Sequence, residues 1–380
     1  MVKQNYHRHW LSSRHVAAMA AAAKGESGAP SWLNSVFGMM CPATNPEPEK
    51  PKDPPSLMDP EHGYAYRMVH GVCYPPFASE AAIDRLMGED WSREGDVLIA
   101  TYPKCGTTWM QQMVLLLLAK GDASKVTDPM EQSPWVDREF SIATRQAKGD
   151  AAKIDAAFDK LVRGDGDAGF GGRRTFKTHA PYALLPCAGR FSKGKIIVVT
   201  RNPKDACASM YKHYLGLPAF KYTGPWDHFV GLFLDGNVGQ GSWFDHVLGW
   251  RTAKDDVGDR LLFLSFEDMK ADVETSVKRI AAFVDVDLDD ELLAKVVAAS
   301  SFDSMKKDHE RRKSTGVQRM GSATHFRSGA SGGWRANFTV AQSDALDAQF
   351  EARMAGTDIV TDFGKGDRYV GTVKAETDGH

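Results

Sequence analysis

The sequence predicts an α/β fold: a single three-layer domain in which a central parallel β-sheet is flanked by helices. Two observations carry this. Short apolar runs, mostly β-branched, recur at 96–101, 174–178, 195–200 and 261–266. Runs without polar alternation are strands buried on both faces. Segments of helical pattern follow at 107–119, 204–215, 243–253, 272–284, 289–299 and 342–354. Strands alternating with helices make a parallel sheet with crossovers on its faces.

The elements divide the chain at about residue 61. Residues 1–60 read as an N-terminal extension and 61–380 as the domain. Met1–Lys24 carries Lys3, Arg8, Arg14 and Lys24 with no acid, around a run of small residues from Val16 to Ala23. That pattern fits an organellar targeting peptide and equally an alanine-rich helix. Seven of the 18 prolines then fall between 42 and 60, a density that reads as a linker or surface arm. Segment 142–173 is polar and rich in Gly, Ala and Asp, and reads as a helix followed by a flexible excursion.

Composition narrows the function. The formal net charge over 380 residues is −2, so no global field favours nucleic acid or an acidic membrane. The five cysteines stand at 41, 73, 105, 187 and 207 without a CxxC pair, which points to a reducing, cytoplasmic setting rather than a disulfide framework. An organelle reached through the basic N-terminal segment is the alternative. No run approaches the roughly 20 apolar residues that span a membrane. No His/Cys/Asp cluster shows metal-ligand spacing, and no metal is expected.

Four clusters carry chemistry. Tyr102-Pro-Lys104-Cys105-Gly106-Thr107-Thr108-Trp109 joins a strand to a helix by a tight turn. Such a turn aims free N–H groups and the positive end of a helix dipole at one spot, which suits an anion. It is not a Walker A loop, since its lysine precedes the glycine. Lys177 and His179 end the second strand, two residues apart, so an extended backbone presents a cation and a base on one side. Arg201 ends the third strand, and Ser209 lies in the helix entered through Pro203; an arginine fork with a hydroxyl suits a phosphate. His325–Trp334 is a glycine-rich loop with Arg327, Ser328 and Gly329. Singly, three of these also read as capping or surface groups.

Taken in order from Tyr64 to Phe363, these motifs resemble the cytosolic sulfotransferases that use 3′-phosphoadenosine 5′-phosphosulfate (PAPS) and release PAP. The resemblance implies a P-loop-NTPase-like sulfotransferase fold. It implies that Lys104 to Trp109 hold the 5′-phosphosulfate, with Trp109 against the adenine. It implies that Lys177-Thr-His179 is the catalytic segment, with His179 as general base. Lys104 then stabilises the leaving phosphate oxygen, and Lys177 the charge on the transferred group. Arg201 and Ser209 match the 3′-phosphate pair, joined by Arg327, Ser328 and Gly329. Leu264–Lys270, with Phe266, resembles the strand near the adenine. Ser300, Phe302 and Met305 resemble another nucleotide-contacting turn. Gly241–Val247 resembles the helix before the fourth strand.

The chain departs from the family pattern where Cys105 stands for serine, Phe266 for tyrosine, Ser328 for lysine and Gly333 for aspartate. These departures imply a weaker cofactor grip and, at Cys105, an oxidisable thiol. Arg335–Asp344 resembles the family's dimer signature and implies a homodimer. The acceptor is a small molecule; phenols, alcohols, sterols, amines and guanidinium metabolites all remain open. Loops 64–90, 130–175 and 216–245 would shape its pocket, with Phe77, Trp135, Phe140, Phe170, Tyr182 and Trp226 as a candidate aromatic lining. Two other functions compete. A P-loop kinase or nucleotide-binding protein would prefer ATP. A non-catalytic PAP-binding module would have no use for Lys177 and His179 together.

Overall fold

The structure, a computed structural model, describes residues 57–59, 61–164, 170–185, 191–314, 329 and 331–357. The targeting segment and the seven prolines of the arm therefore lie outside the described residues, as do Arg327, Ser328, Cys41 and Cys187. Strands β1 (Leu57–Met58), β2 (Ala65–Val69) and β3 (Val72–Tyr74) form an antiparallel sheet. Its pairing begins upstream of residue 61, where the sequence suggested the domain starts. Helix α1 (Glu80–Gly88) follows, capped by the Ser79 hydroxyl.

The main sheet holds β4 (Val97–Thr101), β5 (Thr175–Thr178), β6 (Lys195–Thr200) and β7 (Leu261–Ser265), all parallel in the order β5-β4-β6-β7. All four coincide with the apolar runs to within one residue at each end. Alternate residues of β4 enter different cores. Val97 and Ile99 face one cluster with Ile197 and Val199; Leu98 and Ala100 face another with Phe176, Ile196 and Val198. That alternation is the pleat, and it makes the molecule three layers deep.

On the first face lie α2 (Thr107–Leu118) and, further along the chain, the two helices near residues 273–299. The run Leu115–Leu118 is buried, each leucine contributing roughly 1.5–3 kcal/mol relative to exposure. On the second face lie α4 (Val136–Ala147) and α5 (Ala151–Phe158), preceded by the short α3 (Pro129–Gln132). Segment 142–173 is thus more helical than its composition suggested. Residues Asp159–Arg163 continue α5 as a π-turn, and Phe158, Val162 and Phe170 are buried.

Then come α6 (Pro203–Gly216), α7 (Trp226–Leu234), α8 (Trp243–Val257), α9 (Phe266–Ala271), α10 (Val273–Phe283), α11 (Asp290–Ala299), α12 (Phe302–Ser314) and α13 (Val340–Met354). Among these, α7, α9 and α12 were not foreseen. Helix α12, FDSMKKDHERRKS, is charged on nearly every side, so it shows no apolar period to read. Among the described residues no helix is long and apolar enough to cross a membrane.

One buried ion pair ties the starts of β4 and β5. Arg174 grips both carboxylate oxygens of Asp96, and also donates to the carbonyls of Trp91 and Val162. Removing the guanidinium leaves a buried carboxylate without its cation. We expect Arg174→Met to destabilise the fold by about 3–5 kcal/mol in urea unfolding; a loss below about 1 kcal/mol would show that Asp96 does not need the arginine.

Candidate active site

The four parallel strands end on one side of the sheet, where ligands of open α/β sheets bind. There a cavity of about 990 Å³ opens. The residues just past each strand line it: Lys104 and Gly106 after β4, His179 after β5, Arg201 after β6 and Phe266 after β7. Lys177, Thr107, Thr108, Trp109, Ser209, Ser300, Phe302, Met305 and Gly329 line it too. The motifs spread over more than 200 residues thus share one cleft. Arg327 and Ser328 lie outside the described residues, and Cys105 does not line the cleft.

The turn after β4 is strained. Lys104 sits at φ +70 and Gly106 at φ +95, and the first is left-handed without being glycine. Arg201 holds that conformation, donating from Nη1 to the Lys104 carbonyl at 3.0 Å. Glycine at 106 is required, because a Cβ there would come within 2.8 Å of the Phe266 ring. Gly106 also caps α2 and has no side chain to cover the first N–H groups. Arg201 lies 4.6 Å over the Phe266 ring, and Trp109 meets that ring edge-on at 5.4 Å.

Cys105 corrects the sequence reading. Its N–H donates to the Tyr102 carbonyl at 3.3 Å, and its side chain is buried in a core cluster. Burial pushes the thiol up to about 12, so it is not a reactive thiolate. The exchange for serine therefore removes no hydroxyl from the cleft.

His179 is oriented by the end of β4. Its Nδ1 donates to the Thr101 carbonyl at 2.8 Å. A carbonyl only accepts, so the neutral ring carries its proton on Nδ1 and a lone pair on Nε2. The Thr101 hydroxyl lies 3.2 Å from the same Nδ1 and 2.6 Å from the Thr107 hydroxyl. The sequence showed no signal for Thr101 beyond its place as the last strand residue. The His179 carbonyl accepts from His246 Nε2 at 3.2 Å.

Trp135 sits against Lys177 of β5 and His179 just past it, its ring 4.6 Å from that of His179 and 5.3 Å from Lys177 Nζ. The segment docks on β5 because Lys177 N–H donates to the Pro134 carbonyl at 2.9 Å. Asp137 fixes the corner, accepting from Trp135 Nε1 at 2.7 Å and from the Thr178 hydroxyl at 2.8 Å. Burial raises this carboxyl to about 6. Burial, aided by repulsion from Arg138, lowers Lys177 to about 8.

Phe77, Trp135, Leu217 and Phe220 also line the cleft, Phe77 edge-on to Trp135 at 5.3 Å, and so do Arg138 and Glu139, which pair with each other. Of the six aromatics suggested as acceptor lining, only Phe77 and Trp135 reach the cleft. Phe140 and Phe170 are core residues, Tyr182 packs on Trp250, and Trp226 packs on Phe338. Phe220 was missed because aromatic side chains alone do not reveal which face of a loop is inward.

Asp205 in the first turn of α6 secures the late loop. Its two oxygens accept from the N–H groups of Gly332 at 2.7 Å and Trp334 at 3.0 Å. Gly329, at φ +58, lies flat on Phe302, where a Cβ would approach to 2.4 Å.

Burial first, then the Lys177 charge, holds His179 well below the usual histidine range. Its neutral form therefore persists as pH falls through the ordinary value of roughly 6.5. Because the unfolded histidine takes up a proton there and the folded one does not, acidification below that value also weakens the fold. Imidazole ¹⁵N NMR should show His179 with Nδ1 protonated and Nε2 bare from pH 8 to below 6.5. Titration at 6.5 or above would contradict the burial argument.

A family profile described as the sulfotransferase domain matches residues 94–358. Sulfotransferase 1B1 of Canis lupus familiaris is 32% identical over 297 residues, 77% of this chain and 94% of that protein. Sulfotransferase 2A1 of Homo sapiens is 32% identical over 291 residues, 75% of this chain and 93% of that protein. Among solved structures, mouse sulfotransferase SULT7A1 complexed with PAP superposes with a TM-score of 0.60 at 28% identity, covering 77% of this chain and 96% of that one. By its domain match over most of its length and by these relatives, this chain belongs to the sulfotransferase family.

Proposed function

We propose that the chain moves a sulfuryl group from PAPS to a hydroxyl or amine of a small acceptor, with His179 as general base. The observation that carries this is the placement, in one cleft, of a bare His179 Nε2, a buried Lys177 and the turn at Lys104–Trp109. The turn fits a nucleotide phosphate. It combines a helix N-terminus capped only by glycine with a space that any larger residue would close. The nucleotide supplies an activated sulfuryl group; transfer forms an O–S or N–S bond and releases PAP.

The chain's own groups do the rest. His179 Nε2 accepts the acceptor's proton as its oxygen or nitrogen attacks sulfur. Lys177 faces the charge on the moving group, and Lys104 the oxygen that takes the electron pair of the broken S–O bond. The N–H groups of residues 106–108, the Thr107 and Thr108 hydroxyls, and Lys104 act as donors fixed before reaction. The Thr101–Thr107 contact links the ring orientation of the base to the hydroxyl on the phosphate side. Arg201 and Ser209 take the 3′-phosphate, with Arg327, Ser328 and Gly329. Phe266 and Trp109 enclose the adenine beside Ser300, Phe302 and Met305. The wall of Phe77, Trp135, Leu217 and Phe220 suits an acceptor with an apolar ring. Free thiols at Cys73, Cys105 and Cys207 fit a cytoplasmic setting.

Family membership disfavours the kinase alternative, and the bare base disfavours a non-catalytic binding module. Replacing His179 by alanine should lower turnover at least about 10²-fold while calorimetric PAP binding stays within a factor of two or so. Loss of binding in that variant would make His179 structural. Lys177 is charged below about 8 and loses its charge as pH rises through that value. The free-enzyme profile of kcat/KM should therefore fall above pH 8, and a profile flat to pH 10 would remove Lys177 from the reaction.

We also propose a homodimer through Arg335–Asp344. Thr339 and Gln342 close a capping box that fixes the start of α13, and Val340 beside it is 50% exposed. Light scattering at micromolar concentration should give the dimer mass; a monomer there rejects this contact.

A further inference from the structure

We propose a divalent transition-metal site, with zinc as the preferred ion, between the turn ahead of β2 and the first turn of α7. Its ligands are His62, His228 and Glu61, with Asp59 as the fourth group. The sequence holds no metal-ligand spacing here, since His62 and His228 are 166 positions apart; the fold brings them together. One ligand atom from each of Glu61, His62 and His228 lies within 4.8 Å of the others. The two imidazole rings meet edge-on with centroids 4.3 Å apart.

The hydrogen bonds decide which atoms face inward. The Tyr222 hydroxyl gives its single proton to the Pro225 carbonyl at 3.1 Å. It therefore accepts at its contact with His228 Nδ1, 3.0 Å away. The neutral His228 ring then holds its proton on Nδ1, and Nε2 presents a lone pair. That lone pair faces Asp59 Oδ2 at 3.6 Å. Two acceptors turned toward each other at that separation are bridged either by a proton or by a metal ion, and the second imidazole beside them favours the metal. On the other side, His62 Nε2 faces Glu61 Oε1, also at 3.6 Å. Tetrahedral zinc with bonds near 2.0–2.1 Å sets its ligand atoms roughly 3.3–3.5 Å apart, so both pairs need little adjustment. Glu61 is exposed and can close the longer gaps.

The site is also held from behind. Asp59 Oδ1 accepts from the N–H groups of Glu61 at 3.1 Å and His62 at 2.7 Å, which leaves Oδ2 for the ion. Thr223 donates to the His62 carbonyl from N–H and hydroxyl, each at 3.1 Å. The Tyr222 contact is the outer-shell partner that orients a metal-bound histidine. Two imidazoles with carboxylates select zinc or a neighbouring transition ion over magnesium or calcium. Tyr222 follows Phe220 of the cleft wall by two residues, so the ion would act as a clip on the acceptor side and takes no part in sulfuryl transfer.

The test is zinc titration of the chelator-dialysed full chain by calorimetry, together with cobalt(II) absorption in the visible. The wild type should bind one zinc ion more than His62→Ala or His228→Ala, and the tetrahedral cobalt bands should vanish in both variants. Tyr222→Phe, which keeps every ligand, should weaken zinc binding about tenfold. Near-UV circular dichroism matching the wild type confirms that the variants are folded. Equal zinc stoichiometry in wild type and a folded His62→Ala/His228→Ala double variant would overturn the site. So would cobalt bands unchanged by either substitution, which would place the metal on other histidines. Failure of zinc to bind at all would mean that a proton on His228 answers Asp59 instead.

Discussion

The hydrogen bond from His179 Nδ1 to the Thr101 carbonyl is the contact on which the site depends. It exists because β4 and β5 are parallel neighbours with Ala100 opposite Thr178. That register sets residue 179 beside residue 101, one step beyond the ladder. A slip of one residue would reverse the facing of every β5 side chain and turn Lys177 away from Trp135. The packing of β4 into two cores, with Phe176 of β5 in the second, therefore holds the His179–Thr101 geometry as well as the fold. The same bond chooses the tautomer, and the tautomer leaves Nε2 for the cleft.

Electrostatics in the cleft are a contest that burial wins. His179 receives a favourable hydrogen bond, yet desolvation and the Lys177 charge outweigh it and keep the ring neutral. Lys177 is brought from 10.5 to about 8 by burial and by Arg138, against the pull of Asp137 and Glu139. That displacement disfavours the bare ammonium by roughly 3 kcal/mol, a penalty that an arriving polyanion offsets. A base kept neutral beside a cation that wants an anion suits proton removal coupled to transfer of a charged group. The strained Lys104 backbone, held by Arg201, joins the turn after β4 to the end of β6 mechanically.

Much of this was legible in the sequence, for identifiable reasons. The four core strands announce themselves because both faces are buried, and their ends carry residues that line the cleft. Lys104, Lys177, His179 and Arg201 stand directly at or after those ends, so a linear reading finds them. Thr101 was not legible, because its part is played by a backbone carbonyl and any residue has one. The inward turn of Cys105 was hidden in a left-handed backbone on either side of it. Four of the six aromatics suggested for the acceptor wall serve the core instead, since residue type does not say which layer a ring joins. Helix α12 lacks an apolar period, and the His62–His228 pair needs the fold to meet.

The most direct test of the account is a crystal structure of the chain with PAP and a phenolic acceptor bound. The account predicts PAP phosphates on the N–H groups of residues 106–108, and the acceptor oxygen about 2.6–3.2 Å from His179 Nε2 beneath Trp135. An acceptor oxygen held by Lys177 alone, or a His179 ring turned so that Nδ1 leaves the Thr101 carbonyl, would contradict it.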